Sequence, residues 1–262
     1  IKILGCDIAG RVEVVGKNVT MFQPGDDVFG DISRCGWGGF AEYVCANENI
    51  LALKPAGMTY EEIAAVPQAA VLALQGLRQG NIQQQTTPAK KVLINGAGGG
   101  VGSFAIPMAK SFGAEVTAVD SLKKMDFMRS LGAAHVIDYT QEDFTQNGQQ
   151  YDLILDVVAT RSIFAYKRAL SPEGVCVFVG ASTAAIFQSM FLGPLISMTG
   201  SKKMGIVMWK PNKKEDLVFL KELFEAGKVV PVIDRHYMLS EVPEAFRYLE
   251  EGHARGKVVI TM

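Results

Sequence analysis

The segment that most constrains this fold is the glycine-rich stretch VLINGAGGGVGSFAIPMAK, which runs from Val92 to Lys110. An apolar run precedes the glycines and a helix-like run follows them, which predicts a buried strand that turns directly into a helix. Such a helix begins with unpaired N–H groups and a partial positive charge. A phosphate approaches those groups closely only where side chains are absent. The stretch therefore indicates an anion site built from bare backbone.

The flanking residues extend this to a dinucleotide-binding prediction. KVLIN (91–95) reads as a strand, Val101–Phe112 as a helix and EVTAV (115–119) as a second strand. The two strands and the helix together have the length of about 30 residues that is expected of a dinucleotide-binding βαβ unit. In the G-x-G-x-x-G register, alanine stands in the first glycine position. The residues expected at the pyrophosphate are Ala97, Gly98, Gly99, Gly100, Val101 and Gly102. The alternative is a glycine-rich turn that holds no ligand.

The residues after the second strand leave the cofactor open. Asp120 ends that strand about 20 residues after the last glycine, where an acid usually accepts hydrogen bonds from the ribose hydroxyls of NAD. Lys123 and Lys124 follow closely. Their ammonium groups suit the 2′-phosphate of NADP, although a solvated helix start would also explain them.

The rest of the chain predicts an α/β fold with a doubly wound parallel sheet. From Lys91 onward, strand and helix patterns alternate, and the further strands are HVID (135–138), YDLILDVV (151–158) and GVCVFVGA (174–181). Residues 186–210 are apolar and Met-rich, with a strand predicted at KKMGIVMW (202–209). Residues 1–60 read as short antiparallel strands, including RVEVVG (11–16) and GGFAEYVCA (38–46). Tyr60–Leu77 reads as helical, with a kink or a boundary between two helices at Pro67.

Composition excludes several classes of function. The formal net charge is −1, so neither nucleic acid nor an anionic membrane is expected as a partner. No apolar run reaches the ~18 residues of a membrane helix. The four cysteines are scattered without a C-x-x-C pair, which suits a reducing compartment and predicts a cytoplasmic protein. The three histidines, at positions 135, 236 and 253, are expected to be structural or solvated.

Three stretches carry a resemblance to a known family. The chain resembles the medium-chain dehydrogenase/reductases in VLINGAGGGVGSFAIPMAKSFGAEVTAV, SLGAAHVIDYTQEDFT and YDLILDVV. The branch that looks closest is the zinc-independent, quinone oxidoreductase-like proteins. Many members of that branch are labelled NAD(P)-dependent alcohol dehydrogenases. The likeness extends to LGCDIAGRVEVVG, FQPGDDVFG and GGFAEYV, which resemble strands of the family's GroES-like catalytic domain, and to HARGKVVITM, which resembles its closing strand.

The resemblance implies two domains. Residues 1–69 and 231–262 would form a partial GroES-like β domain, whose first strands are expected to lie before Ile1. Residues 70–230 would form a Rossmann domain that binds the dinucleotide.

The resemblance also implies cofactor contacts. Ser121, Lys124 and Tyr139 match positions that surround the 2′-phosphate in NADPH-using members, so NADP(H) is favoured. Asp120 departs from that pattern, because an acid repels a phosphate at close range, and it keeps NAD(H) open. The residues that match the loop near the nicotinamide are Gly180, Ala181 and Ser182.

No metal site is expected. Zinc-dependent members use a Gly-His-Glu triplet, and this chain has Gly5-Cys6-Asp7 in its place. Cys6 is a single soft ligand, and one such ligand does not make a zinc site. Cysteine and acidic residues are also absent from PQAAVLALQG, where a later ligand is expected.

The function implied is zinc-independent hydride transfer between NAD(P)H and a small quinone, enone, or related carbonyl or alcohol substrate. The residues that would carry out catalysis are not identified. Two alternatives stay open: a truncated nucleotide-binding homologue without turnover, and an enoyl-thioester reductase on the same scaffold. A homodimer is expected, with KKMGIVM (202–208) pairing edge to edge with its copy.

Overall fold

A computed structural model describes residues 3–83, 85 and 87–262, and it divides the chain into two compact units. The first unit contains the residues through Val71 together with Lys210–Met262, and the second contains Leu72–Trp209. Residues 210–230 thus group with the first unit, whereas the sequence-based boundaries place them in the nucleotide-binding domain. Those domain boundaries stay predictions.

The first unit begins with a three-stranded antiparallel sheet of order β1-β2-β3. Its strands are β1 (Asp7–Arg11), β2 (Asp27–Asp31) and β3 (Leu51–Leu53). The strand predictions for RVEVVG beyond Arg11 and for GGFAEYVCA are wrong. In the described residues, neither segment forms a strand, although Val12 exchanges backbone hydrogen bonds with Gly25 and Asp26, and Val14 is 85% exposed. A strand needs hydrogen-bonded neighbours and a buried face, and alternation alone supplies neither.

Two helices follow the sheet, α1 (Tyr60–Ala64) and α2 (Pro67–Gln79). Thr59 and Glu62 form a capping box at the start of α1, which satisfies the free N–H groups there. Pro67 is the first residue of α2, a position where its missing N–H costs nothing. The sequence-based choice between a kink and a helix boundary at Pro67 is therefore resolved as a boundary.

The second unit contains a six-stranded parallel sheet, which confirms the predicted doubly wound α/β class. Its strands are β4 (Lys91–Asn95), β5 (Glu115–Asp120), β6 (His135–Asp138), β7 (Tyr151–Asp156), β8 (Leu170–Phe178) and β9 (Lys203–Ile206). Its helices are α3 (Gly100–Ser111), α4 (Met125–Ser130), α5 (Ile163–Ala169) and α6 (Thr183–Thr199). Leu93, Ile94 and Phe104 are fully buried and lie in the core between sheet and helices.

Helix α6 occupies most of the apolar segment to which the sequence pattern assigned no secondary structure. Ser182 caps this helix by accepting a hydrogen bond from the Ala185 N–H at 3.3 Å. The strand predicted at KKMGIVMW is shorter than expected and covers only β9. A continuous apolar run does not distinguish a helix from a strand by periodicity, which is why α6 was missed.

The strand order places the candidate site. The sheet runs β6-β5-β4-β7-β8-β9, so the chain continues from β4 to one side and from β7 to the other. In open parallel sheets, ligands bind in the crevice outside the carboxyl ends of the two strands where the order reverses. In this sheet those ends are Asn95 and Asp156, which are register partners.

The C-terminal part of the first unit contains two helices and a parallel pair of strands. These elements are α7 (Lys214–Glu225), β10 (Ile233–Met238), α8 (Val242–Glu250) and β11 (Lys257–Thr261). Among the described residues, every helix is too short or too polar to cross a membrane.

Candidate functional site

The turn between β4 and α3 is held against the end of β5. The N–H groups of Gly96 and Ala97 both donate to the Val119 carbonyl, at 3.0 and 3.1 Å. Gly96 has φ +77°, a left-handed conformation that glycine adopts without strain. The chain therefore reverses tightly at Gly96 and enters α3 within a few residues, as the glycine pattern predicts.

The glycines of this turn have different physical roles. A Cβ on Gly102 would lie 2.4 Å from the Cα and carbonyl oxygen of Ala97, so the protein's own backbone requires a glycine there. A Cβ on Gly98 would lie 2.6 Å from the Lys124 Cδ, so that glycine makes room for a side chain. A Cβ on Gly99 would meet only the Gly96 carbonyl oxygen, at 3.5 Å, which is ordinary contact. The bare backbone at Gly99 is therefore not required by packing and suits the close approach of a ligand.

A buried ion pair adjoins the loop. Lys124 Nζ lies 3.7 Å from Asp120 Oδ1, and both side chains are largely buried. The Asp120 carboxylate also accepts hydrogen bonds from the Gly98 N–H at 2.9 Å and the Ser121 N–H at 2.8 Å. Its charge is thus balanced on both oxygens, and Lys124 lies against the loop.

Tyr139 lies at the same edge of the sheet. Its N–H donates to the Asp120 carbonyl at 3.2 Å, and its side chain is about half exposed. The structure therefore brings Asp120, Ser121, Lys124 and Tyr139 together beside the glycine loop. These residues lie at the ends of two neighbouring strands, β5 and β6, and the cofactor contacts that the resemblance implies for them stay predictions.

The second predicted loop, Gly180–Ser182, lies beyond the end of β8. A Cβ on Gly180 would lie 2.3 Å from the Val157 carbonyl oxygen, so a glycine is required. The Ala159 N–H donates to the Gly180 carbonyl at 2.9 Å, and the Ser182 N–H donates to the Ala159 carbonyl at 3.0 Å. This loop is therefore attached to the segment that follows β7, on the same edge of the sheet as the glycine turn.

Sequence reasoning missed Asn95 and Asp156, which are buried at the ends of β4 and β7. Asn95 Nδ2 donates to Asp156 Oδ1 at 2.9 Å. A signal was present, because each of these two apolar strands ends in a polar residue. What the pattern did not show is that the two strands are neighbours.

The first unit holds the one group of potential metal ligands found among the described residues. Cys6 Sγ and carboxylate oxygens of Asp7 and Asp31 lie within 4.8 Å of one another, so Cys6 has two acidic neighbours that the sequence did not reveal. Asp7 is also bound: Oδ1 accepts the Gln68 N–H at 3.1 Å, and Oδ2 lies 3.6 Å from Lys257 Nζ. Burial, together with the negative charges of Asp7 and Asp31, raises the pKa of Cys6 to about 11.

The three histidines lie on the surface, in agreement with the expectation that they are solvated or structural. His135 Nε2 is 2.9 Å from Glu115 Oε1 on an exposed surface, and His236 and His253 are also exposed.

Comparison with known families assigns the parts of the chain. The alcohol dehydrogenase GroES-like domain matches residues 2–56, and the family described as zinc-binding dehydrogenase matches residues 131–260. The C-terminal domain of alanine dehydrogenase/PNT matches residues 64–165, which include the glycine loop.

Individual proteins match over nearly the whole chain. The mitochondrial NAD(P)H oxidoreductase RTN4IP1 of Danio rerio is 34% identical over 99% of this chain and 72% of its own length. The chloroplastic quinone-oxidoreductase QR1 of Triphysaria versicolor is 32% identical over 97% of this chain and 78% of its own. Among solved structures, the quinone oxidoreductase from Coxiella burnetii superposes with a TM-score of 0.87 at 30% identity, covering 99% of this chain and 79% of its own. The CurK enoyl reductase superposes with a TM-score of 0.84 at 26% identity, and the match covers 99% of this chain and 79% of the enoyl reductase chain.

The two roles assigned to loop glycines are separable by mutation. Gly102→Ala is expected to lower the free energy of unfolding by about 2 kcal/mol, because the added methyl group overlaps backbone that cannot rotate away. Gly99→Ala is the matched control and is expected to stay within about 0.5 kcal/mol of the wild type. Urea unfolding followed by circular dichroism measures both. Equal destabilisation by the two substitutions would contradict the assignment.

Proposed function

This chain belongs to the medium-chain dehydrogenase/reductase superfamily, in its quinone oxidoreductase-like branch, and from that premise we propose that it transfers hydride from NADPH to a quinone or enone. The coarser statement, that it is an NAD(P)H-dependent oxidoreductase, follows from its relatives. The observation that best supports the proposal is the glycine turn at the point where the strand order reverses, with a bare Gly99 that packing does not require.

Different parts of the cofactor would bind to different loops at the carboxyl ends of the parallel strands. The turn from Gly96 to Gly102 would receive the pyrophosphate, with the start of α3 providing its partial positive charge. Asp120, Ser121, Lys124 and Tyr139 would surround the adenosine ribose. Gly180–Ser182 would lie near the nicotinamide. The bound cofactor supplies the hydride, and the chain supplies orientation and a dry, fixed setting.

The NADP preference rests on charge balance at Asp120. An unpaired carboxylate at the ribose would repel a 2′-phosphate. In this site the Gly98 and Ser121 N–H groups and the Lys124 ammonium already balance that carboxylate. Lys124 then places a cation where the phosphate would lie, which favours NADPH over NADH.

We also propose that the reaction needs no zinc. Zinc sites use sets of cysteine and histidine ligands, and Cys6 offers a single sulfur beside the carboxylates of Asp7 and Asp31. The Lys257 ammonium already lies beside Asp7, where a metal ion would meet a like charge. The three donors therefore do not suit zinc, despite the name of the family that matches residues 131–260. A cytoplasmic location stays a prediction, since relatives include mitochondrial and chloroplastic proteins.

The direct test is turnover. The purified protein is mixed with NADPH and a panel of small quinones, enones and enoyl thioesters, and the absorbance of the reduced nicotinamide is recorded over time. NADPH is expected to be oxidised in the presence of quinones or enones. A strong chelator is expected to leave the rate unchanged. Binding of NADPH without any oxidation would favour the homologue that lacks turnover, and preference for thioesters would favour the enoyl reductase. Loss of activity with the chelator, restored by zinc, would contradict the zinc-free proposal.

Lys124→Met tests the cofactor preference while it preserves the packing of the side chain against Gly98. Affinity for NADPH is expected to fall by about tenfold to a hundredfold, as for a lost charge-assisted contact, and affinity for NADH to change by less than about threefold. Calorimetric titration measures both. Lys123→Met, at the exposed neighbouring lysine, is the control and is expected to behave as the wild type. Equal losses for the two cofactors in Lys124→Met would contradict the NADP assignment.

We propose a homodimer that forms at one of the two edges of the six-stranded sheet. Strand β9 is that edge, where the Met204 N–H already donates to Ser197 Oγ and the Ile206 carbonyl accepts from the Gln79 side-chain amide, so the apolar face beside it carries the proposal. Beside it, α6 exposes a row of large apolar side chains, namely Phe187, Met190, Phe191, Leu195 and Met198. Light scattering is expected to give twice the chain mass, and Phe191→Glu to give a monomer. Val218→Glu, at an exposed apolar residue of α7, is the control that keeps the dimer. A monomeric wild type would contradict the proposal.

A further inference from the structure

Asn95 and Asp156 form a buried polar pair where β4 and β7 end side by side. Asn95 is 4% exposed and Asp156 is fully buried. The Asn95 amide donates to Asp156 Oδ1 at 2.9 Å, and the two residues are register partners in adjacent strands. The pair therefore joins the two strand ends at the point where the strand order reverses.

On one side, the pair is continuous with the glycine turn. Asp156 Oδ1 also accepts the Val158 N–H at 2.9 Å, and the Asn95 carbonyl accepts the Val157 N–H at 3.0 Å. A Cβ on Gly96, the residue after Asn95, would lie 3.3 Å from side-chain atoms of Val157 and Val158. The segment held by Asp156 thus forms the surface against which the turn packs.

On the other side, the same segment holds Gly180–Ser182. The Asp156 carbonyl accepts the Val179 N–H at 2.8 Å, and the Val157 carbonyl lies where a Cβ on Gly180 would be. Ala159 exchanges hydrogen bonds with Gly180 and Ser182. Displacement of Asp156 would therefore move both loops.

The charge of Asp156 is costly where it stands. Burial raises the pKa of its carboxyl above the ordinary value, and hydrogen bonds from the Tyr166 hydroxyl, the Val158 N–H and the Asn95 amide offset only part of that rise. Apolar residues at both strand ends would close the sheet without this cost, since a buried charge is weak support for stability alone. The polar pair supplies directional bonds that apolar packing lacks, which points to a requirement for geometry.

We propose that Asn95 and Asp156 are positioning residues that set the pyrophosphate loop and the nicotinamide loop relative to each other. This inference rests on the proposed function, in that it requires a nicotinamide dinucleotide to span the two loops. The hydrogen bonds described for the pair run between its members and to the segments that follow β7 and β8, whereas Asp120, Ser121, Lys124 and Tyr139 lie at the ends of β5 and β6. The pair should therefore affect parts of the cofactor unequally.

Three ligands divide the cofactor for the test. Adenosine 2′-monophosphate reaches the ribose end only, 2′-phospho-ADP-ribose adds the pyrophosphate, and NADPH adds the nicotinamide. NADH and ADP-ribose are titrated in parallel, so that cofactor preference does not decide the result. Asn95→Asp places two carboxylates face to face, and Asn95→Ala removes the donor if that variant does not fold. Thr117→Val, which removes a buried hydroxyl within β5, is the control.

In Asn95→Asp, affinity for 2′-phospho-ADP-ribose is expected to fall by about tenfold and that for NADPH by more, while that for adenosine 2′-monophosphate changes by less than about twofold. The exchange variant Asn95→Asp with Asp156→Asn restores the donor–acceptor pair, and it is expected to recover NADPH affinity to within about threefold of the wild type. Thr117→Val is expected to bind all three as the wild type does.

Equal weakening of all three ligands, or no recovery in the exchange variant, would overturn the positioning role. Equal losses for NADPH and 2′-phospho-ADP-ribose would show that the pair does not position the nicotinamide loop, and would overturn that part of the proposal. If the folded wild type binds none of the ligands, the proposed function fails, and that result is distinct from a wild type that binds while the variants bind equally well.

Discussion

The contact between the start of α3 and the end of β4 is the constraint on which the second unit depends. Gly102 lies so close to Ala97 that only hydrogen fits between them, and the Gly96 and Ala97 N–H groups are bound to the end of β5. A helix seated this closely presents its first N–H groups at the sheet edge. That edge is also where the strand order reverses, so one backbone feature sets both the packing and the position of the site.

Buried acids in the second unit are held by short, local hydrogen bonds. Asp120 is satisfied by two N–H groups and an ammonium, whereas Asp156 Oδ1 accepts from an amide and an N–H group and its Oδ2 has no hydrogen-bond partner among the described residues. Both acids end strands, so their hydrogen bonds hold the loops that follow. A charge in a medium of low dielectric constant is tolerated only with such partners, and the same partners restrict how the loops move.

The sequence predicted the regular part of this fold well and its irregular part poorly. The strand–turn–helix at the glycines and the later strands of the sheet are confirmed, because each has a local periodicity or a local stop signal. The sequence left Pro67 open as a kink or a helix boundary, and the structure shows a boundary. RVEVVG beyond Arg11 and GGFAEYVCA failed as strands, since pairing depends on neighbours that alternation does not specify. Helix α6 was missed because an apolar run has no period to read.

The sequence by itself determined which residues meet the helix start and which strands are buried, because glycine spacing and apolar runs act over a few residues. It also placed Asp120, Ser121 and Lys124 next to one another along the chain. Only the tertiary structure decided that Asn95 faces Asp156 and that Cys6 lies among Asp7 and Asp31. These contacts between residues distant in the sequence depend on strand order and register, which arise from the packing of the whole sheet. No residue's own neighbours in the chain encode them.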